Sequence, residues 1–186
     1  PQILDILKKS NAKATFFVLG EYVDSYPDIA KRIVSEGHAI GNHTYSHPDL
    51  RFMFKKGIVS EVKRAEDAIL KATGENTFLF RPPYGGYNSR ISRVIKNLGY
   101  VIVEYSVTAK DGGKTRIKHD AIVKAVLKKV ENGSIILIHD GDRYTKDANK
   151  EEVVKALPII LSSLKGEGYY FVTVPELLHL KEGSDA

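Results

Sequence analysis

An α/β fold made of parallel βα units is the class these 186 residues predict. Three observations carry that expectation. Short apolar, β-rich runs alternate along the chain with amphipathic helical stretches. Residues with reactive side chains recur just past the ends of those runs. No repeat, low-complexity segment or internal linker interrupts the alternation, so residues 1–186 read as a single domain large enough for a real core.

The elements follow in order. PQILDILKKS places Ile3, Leu4, Ile6 and Leu7 on one helical face. ATFFVLG, Ala14 to Gly20, is a buried strand. PDIAKRIVSEG enters a helix at Pro27 and closes it at Gly37. HAIGNH, His38 to His43, is a short strand and turn. GIVSEVKRAEDAILKATG carries Ile58, Val62, Ala65, Ile69 and Ala72 on one face and ends at Gly74. TFLF is a strand that runs into the Pro/Gly loop RPPYGG. NSRISRVIKNLG is a helix capped by Asn88 or Ser89 and closed by Gly99. YVIVEYS is a strand, residues 118–132 a helix and SIILIHD a strand. KEEVVKALPIILSSLKGEG is a helix with Pro158 placed to kink it. YYFVTV is a last strand, PELLHLK a short helix, and EGSDA a frayed tail.

Composition narrows the function classes. The chain is 42% hydrophobic and 27% charged, an ordinary globular balance. The lack of cysteine excludes disulfides, thiolate metal sites and a cysteine nucleophile. The formal charge is +5, but Lys and Glu are interspersed without a dense basic cluster. That pattern suits solvated helix faces, and no nucleic-acid partner is expected. No apolar run is long enough to span a bilayer, and no signal peptide is visible.

The reactive residues fall on this map at strand ends. His43 and His47 follow the strand at 38–40, Arg81 follows TFLF, Asp111 lies past YVIVEYS, and His139 and Asp140 end SIILIHD. In a βα barrel those ends gather on one face, where active sites are built. Each residue alone has a plainer role. Two histidines four apart suit zinc, yet catalytic zinc takes three protein ligands, and the HExxH pattern is absent because Thr44, Tyr45 and Ser46 separate the pair. Pro48 puts the pair in a turn. Arg81 alone is a surface ion-pair residue, but Pro82 and Pro83 stiffen its loop and Gly85 and Gly86 permit close approach of backbone. Such a loop suits N–H groups that receive developing negative charge. His139 alone is a structural histidine at a core strand end. Paired with a carboxylate, Asp111 or Asp140, it becomes a general acid. His38, His119 and His179 have no comparable neighbours in the sequence and read as structural or surface residues.

Taken as an ordered set, the motifs resemble those of the polysaccharide deacetylases, the NodB-homology domain of carbohydrate esterase family four. HTYSH stands for the histidine motif, RPPY (Arg81 to Tyr84) for the arginine motif and LIH (Leu137 to His139) for the leucine-histidine motif. The aspartate-tryptophan motif is partial: Asp111 is present, but Gly112 stands where tryptophan is usual. The resemblance runs through almost the whole chain. It implies a distorted (β/α)7 barrel and metal-assisted removal of acetyl groups from a polysaccharide containing N-acetylglucosamine, such as peptidoglycan or chitin. It implies a divalent metal, zinc first with cobalt or nickel as alternatives, on His43 and His47. His139 would protonate the departing amine and Asp111 would hold or charge it. Tyr84 would offer a backbone N–H to the oxyanion and Arg81 would orient the catalytic aspartate. Leu137, Tyr84 and Pro83 would contact substrate. It also implies an extracellular or cell-surface location.

One departure is large. The family's Asp-Asp motif, source of the third metal ligand and the base, has no counterpart in these residues. The chain also opens on a helix where a regular βα barrel opens on a strand, so the first strand is expected upstream of Pro1, with a naturally degenerate, inactive relative as the alternative, and the chain as it stands is expected to be weakly active or inactive. Two other functions compete: a non-catalytic carbohydrate-binding relative with Tyr84, Tyr87 and Tyr144 stacking on sugars, and a metal-dependent hydrolase of small cyclic amides.

Overall fold

The computed structural model describes residues 1–112, 117–141 and 150–180. Its elements are α1 (Gln2–Lys9), β1 (Thr15–Val18), α2 (Gly20–Ser25), α3 (Pro27–Ser35), β2 (Ala39–Asn42), α4 (Lys55–Thr73), β3 (Leu79–Phe80), α5 (Ser89–Asn97), β4 (Val101–Ile102), β5 (Val107–Thr108), α6 (His119–Leu127), β6 (Ile136–Leu137), α7 (Glu151–Gly166) and α8 (Val174–Leu177). They divide between two compact units, one of residues 14–104 with 173–186, the other of residues 1–13 with 105–172.

In the first unit, β1 to β4 pair in chain order as one parallel sheet. Parallel neighbours require crossovers, and α3, α4 and α5 are helices that connect them. α4 turns the expected stripe inward: Ile58, Val62, Ala65 and Ile69 are buried, and Gly74 ends the helix in the left-handed conformation at φ 76°. Leu50, Ile58, Val62, Phe80, Ile91 and Ile95 form the centre of its core. Asn88, not Ser89, caps α5, its side chain accepting the Ile91 N–H. β2 passes close to β1 at Gly41, where a Cβ would come within 2.6 Å of the Phe17 ring.

In the second unit, β5 and β6 pair in parallel. α6 and α7 supply Ile122, Val126, Val153, Ala156, Ile160 and Leu164 to a core that Ile3 and Phe171 also join. α7 runs unbroken through Pro158. The predicted helix at 118–132 is shorter, ending at Leu127.

Three expectations are corrected. Residues 20–25 form α2, which begins at the glycine read as the end of a strand. The strand expected over YVIVEYS is reduced to the two residues of β4, and a separate short strand, β5, begins just past its end in the other sheet. YYFVTV belongs to neither described sheet; its Phe171 carbonyl accepts the Lys13 N–H and Tyr170 is 91% exposed. The tail EGSDA lies outside the described residues.

His119 is structural, as expected, but through a carboxylate distant in sequence. The buried Glu152 carboxylate accepts its backbone N–H at 2.7 Å and its ring Nδ1–H at 2.9 Å, tying the start of α6 to α7. The ring's other side approaches Asp120. The side-chain and backbone bonds from His119, helped by Lys155, hold the Glu152 pKa at about 2, well below its ordinary value. A carboxylate with a lowered folded pKa stabilises above its unfolded value and loses that contribution as pH falls through the folded one. Thermal melts are therefore expected to lose midpoint steadily between pH 4.5 and about 2, and Glu152→Gln is expected to remove that part of the acid dependence. An unchanged acid limb in the variant would refute the assignment.

Candidate functional site

The loop after β2 is a turn whose shape depends on three buried polar groups. Thr44 and His47 both have positive φ, 71° and 58°. Such backbone is strained for residues other than glycine and persists only where the surroundings enforce it. Asn42, with no solvent exposure, accepts the Thr44 N–H at 2.9 Å and donates to the Val62 carbonyl at 2.9 Å and to the Tyr100 hydroxyl at 3.2 Å. Tyr100 in turn donates to Glu66 at 2.8 Å; burial, with that bond, pushes its phenol well above the ordinary value. Thr44, equally buried, accepts the His47 N–H through its hydroxyl at 3.1 Å. Glu61 of α4 accepts the N–H groups of Tyr45 and Ser46 at 3.1 and 2.8 Å and the Ser46 hydroxyl at 3.0 Å.

This frame sets the two imidazoles together, with ring centroids 4.8 Å apart and planes inclined by 75°. His43 Nδ1 lies 2.7 Å from the Arg81 carbonyl. A carbonyl only accepts, so Nδ1 carries the proton and the ring's lone pair is on Nε2. A backbone carbonyl fixing the tautomer in this way is the usual support behind a metal-bound histidine. Those features fit two ligands of one divalent ion. Among the described residues no group of three or more His, Asp or Glu side chains is placed to hold one, so the chain's own contribution there is two imidazoles.

Arg81 and Tyr84 sit beside the pair in the same unit. The Arg81 N–H bonds to the Asn42 carbonyl at 3.0 Å, which joins the two loops at their roots. Its guanidinium donates to the Val103 and Glu104 carbonyls, both at 3.1 Å, and lies 4.1 Å over the Phe17 ring. The Phe17 ring holds that position because Gly41 has no side chain. Pro83 is buried, and Tyr84 has φ 60°, ψ 11°, within a tight turn at Pro83–Gly85. The Tyr84 ring packs against His47 with centroids 4.7 Å apart and is itself half exposed.

Asp111, Leu137 and His139 fall in the other unit. The Asp111 side chain is 2% exposed. One of its oxygens accepts the His139 backbone N–H at 2.7 Å and the other lies 3.0 Å from the His139 Nδ1–H. Of the two carboxylates open as partners, Asp111 is the one so placed. The imidazole keeps 44% of its surface in water, directing Nε2 away from the carboxylate. Gly112 lies under the ring: a Cβ there would come within 2.9 Å of its Cε1. Leu137 is half-buried in β6, and its carbonyl accepts the Ala109 N–H. Tyr144 lies outside the described residues.

Sequence reasoning passed over Asn42 and Glu61. Glu61 left a trace, since a carboxylate sits on the apolar stripe between Ile58 and Val62.

The profile of the polysaccharide deacetylase family matches residues 1–103. A peptidoglycan-N-acetylglucosamine deacetylase of Bacillus cereus is 37% identical over 177 residues, 95% of this chain and 62% of that protein. A chitooligosaccharide deacetylase of Sinorhizobium fredii is 35% identical over 182 residues, 95% of this chain and 84% of that protein. Among solved structures, a peptidoglycan N-acetylglucosamine deacetylase bound to an N-hydroxybenzamide superposes with a TM-score of 0.90 at 36% identity, covering 97% of this chain and 82% of that one. A family-four pseudoenzyme of Bacillus anthracis superposes with a TM-score of 0.84 at 29% identity, covering 96% and 59%. The α/β fold is the one these structures share.

Proposed function

Because the chain belongs to the polysaccharide deacetylase family, we propose that residues 1–186 form a catalytic domain of that type, hydrolysing acetyl groups from an N-acetylglucosamine-containing polysaccharide of the cell wall or of chitin. The single observation that supports it most is the Asp111–His139 pair, a buried carboxylate bonded to both the backbone and the ring of a solvent-facing histidine. That is the arrangement a general acid needs.

The proposed roles follow from the geometry of each group. His43 and His47 would hold a divalent ion, zinc first, with solvent completing its shell. Such an ion supplies a bound water of lowered pKa and polarises an acetyl carbonyl. Asp111 fixes the His139 tautomer and supports the doubly protonated ring, so that Nε2–H is aimed at the departing amine. Arg81 closes the end of β4 and carries the carbonyl that orients His43. Tyr84 offers its turn N–H to the oxyanion, and Leu137, Pro83 and the Tyr84 ring contact the acetylated sugar. We place the protein outside the cytoplasmic membrane, at the cell surface. No helix among the described residues is long and apolar enough to cross a membrane.

No Asp-Asp pair occurs among the residues given. The test is acetate release from N-acetylglucosamine oligomers with zinc or cobalt, by the chain itself and by the chain extended with a strand ending in Asp-Asp ahead of Pro1. Weak release by the first and strong release by the second is the expected result; metal binding without acetate from either would overturn the enzyme reading. In titration calorimetry, zinc binding should be weak, and His43→Ala or His47→Ala should lower its affinity by more than about tenfold. The second reading is a non-catalytic carbohydrate-binding relative, for which oligosaccharide retention would survive loss of both histidines. Activity on small cyclic amides and none on oligomers would instead support the heterocycle-hydrolase reading.

A further inference from the structure

Phe52 and Phe54 are 85% and 89% exposed, the most exposed large apolar side chains of their unit. Disorder of the backbone does not account for this. The Arg90 guanidinium donates to the carbonyls of Leu50, Arg51 and Met53. Asp49 accepts the Arg51 N–H at 3.0 Å and both arms of its guanidinium at 2.9 and 2.6 Å. Met53 and Phe54 are extended, with φ/ψ of −100°/146° and −73°/159°. Met53 packs against the core, while Phe52, the last residue of the short 3-10 turn Leu50–Phe52, and Phe54 on either side of it are both exposed.

The residues that follow reinforce the pattern. Lys55 and Lys56 are exposed and form the first turn of α4, which contains no acidic residue, and its N-cap is Phe54, which has no side-chain acceptor. Helix starts favour the opposite choices, acids and small polar caps. Local rules broken together, on a pinned backbone, are a mark of function. The strip is also continuous with the histidine loop. Arg51 leaves the same turn and crosses Gly86, where a Cβ would come within 2.9 Å of Nε. Gly86 belongs to the loop of Tyr84, whose ring packs on His47.

Resting on the function proposed above, we propose that Phe52, Phe54, Lys55 and Lys56 form a docking strip for an anionic glycan strand, one whose sugars bear carboxylate-containing substituents, outside the reacting sugar. The phenyl faces take the apolar faces of successive pyranose rings. The two ammonium groups pair with carboxylates along the strand, in a chain whose net charge is +5. Histidine pair, Tyr84, Arg51 and the phenylalanines then lie along one polymer path.

The test is co-sedimentation with two insoluble polymers, peptidoglycan bearing its carboxylate-rich peptides and neutral chitin. It reads retention and not acetate, so a catalytically silent protein still reports. Phe52→Ala/Phe54→Ala is expected to lose about tenfold retention on both polymers. Lys55→Gln/Lys56→Gln is expected to weaken retention on peptidoglycan alone, and high salt to do the same to the unaltered protein. Circular dichroism and melting midpoint check that both variants remain folded. Undiminished retention by the phenylalanine variant overturns the proposal. So does phenylalanine-dependent binding to phosphatidylglycerol vesicles without polymer retention, or a dimer that the variant dissociates while polymer retention stays unchanged.

Discussion

His139→Ala is expected to lower kcat/KM for acetate release by about 10²–10⁴-fold, the usual contribution of a positioned general acid. The measurement uses whichever form of the protein releases acetate, the chain itself or the chain extended with an Asp-Asp strand. An amide nitrogen leaves only after protonation, and the Asp111 carboxylate, by accepting the Nδ1–H of His139, holds the ring whose Nε2–H would be delivered. Asp111→Asn should approach the same loss. It puts an amide where the structure requires an acceptor for two donors, the ring Nδ1–H and the His139 backbone N–H. Zinc affinity should be unchanged in both variants, because the imidazoles of His43 and His47 rest on a separate frame. Loss of zinc binding in the His139→Ala variant, or an undiminished kcat/KM, would contradict the role.

Asn42→Ala should produce the largest loss of stability of any single change near the histidines, about 2–4 kcal/mol in urea unfolding. The side chain has no solvent exposure and satisfies three partners, the Thr44 N–H, the Val62 carbonyl and the Tyr100 hydroxyl. Truncation leaves each without that partner and opens a void. The Thr44 N–H matters most, since the positive φ of Thr44 persists only while something holds it. Relaxation of that residue turns His43 and His47 apart, so zinc affinity should fall by about 10–100-fold even though no ligand is removed. Asn42→Asp keeps the acceptor and loses both donors, and should separate the effects: a stability loss of similar size with the loop partly retained. A stability change under about 0.5 kcal/mol for Asn42→Ala would show that the network is not limiting.

The histidine pair was legible in the sequence because both histidines and the turn-forming Pro48 lie within six residues. The long helices were legible for a similar reason. α4 carries its apolar stripe and its closing glycine in one uninterrupted segment. What escaped depends on partners distant in sequence. Glu152 is 33 residues from His119, and nothing local marks either as half of a pair. Asn42 reads as an ordinary turn residue until Val62 and Tyr100 are placed around it. The break between β4 and β5 has no glycine or proline to announce it, since Glu104, Tyr105 and Ser106 are compatible with a continuing strand. YYFVTV has every local property of a strand, but pairing is decided by neighbours, and its Phe171 carbonyl meets the Lys13 N–H outside any described ladder.

Gly112 and His139 constrain each other in a way that matters for grafting and for directed evolution. The ring of His139 occupies the space that a side chain on residue 112 would enter. A side chain at 112 therefore requires the His139 ring to shift from the position that Asp111 holds. A library that varies residue 112 alone will score most larger side chains as damaging, whatever they do for the glycan, because each displaces the ring that Asp111 has aligned. Varying 112 together with the backbone that sets 139 gives the ring room to move, which varying 112 alone does not.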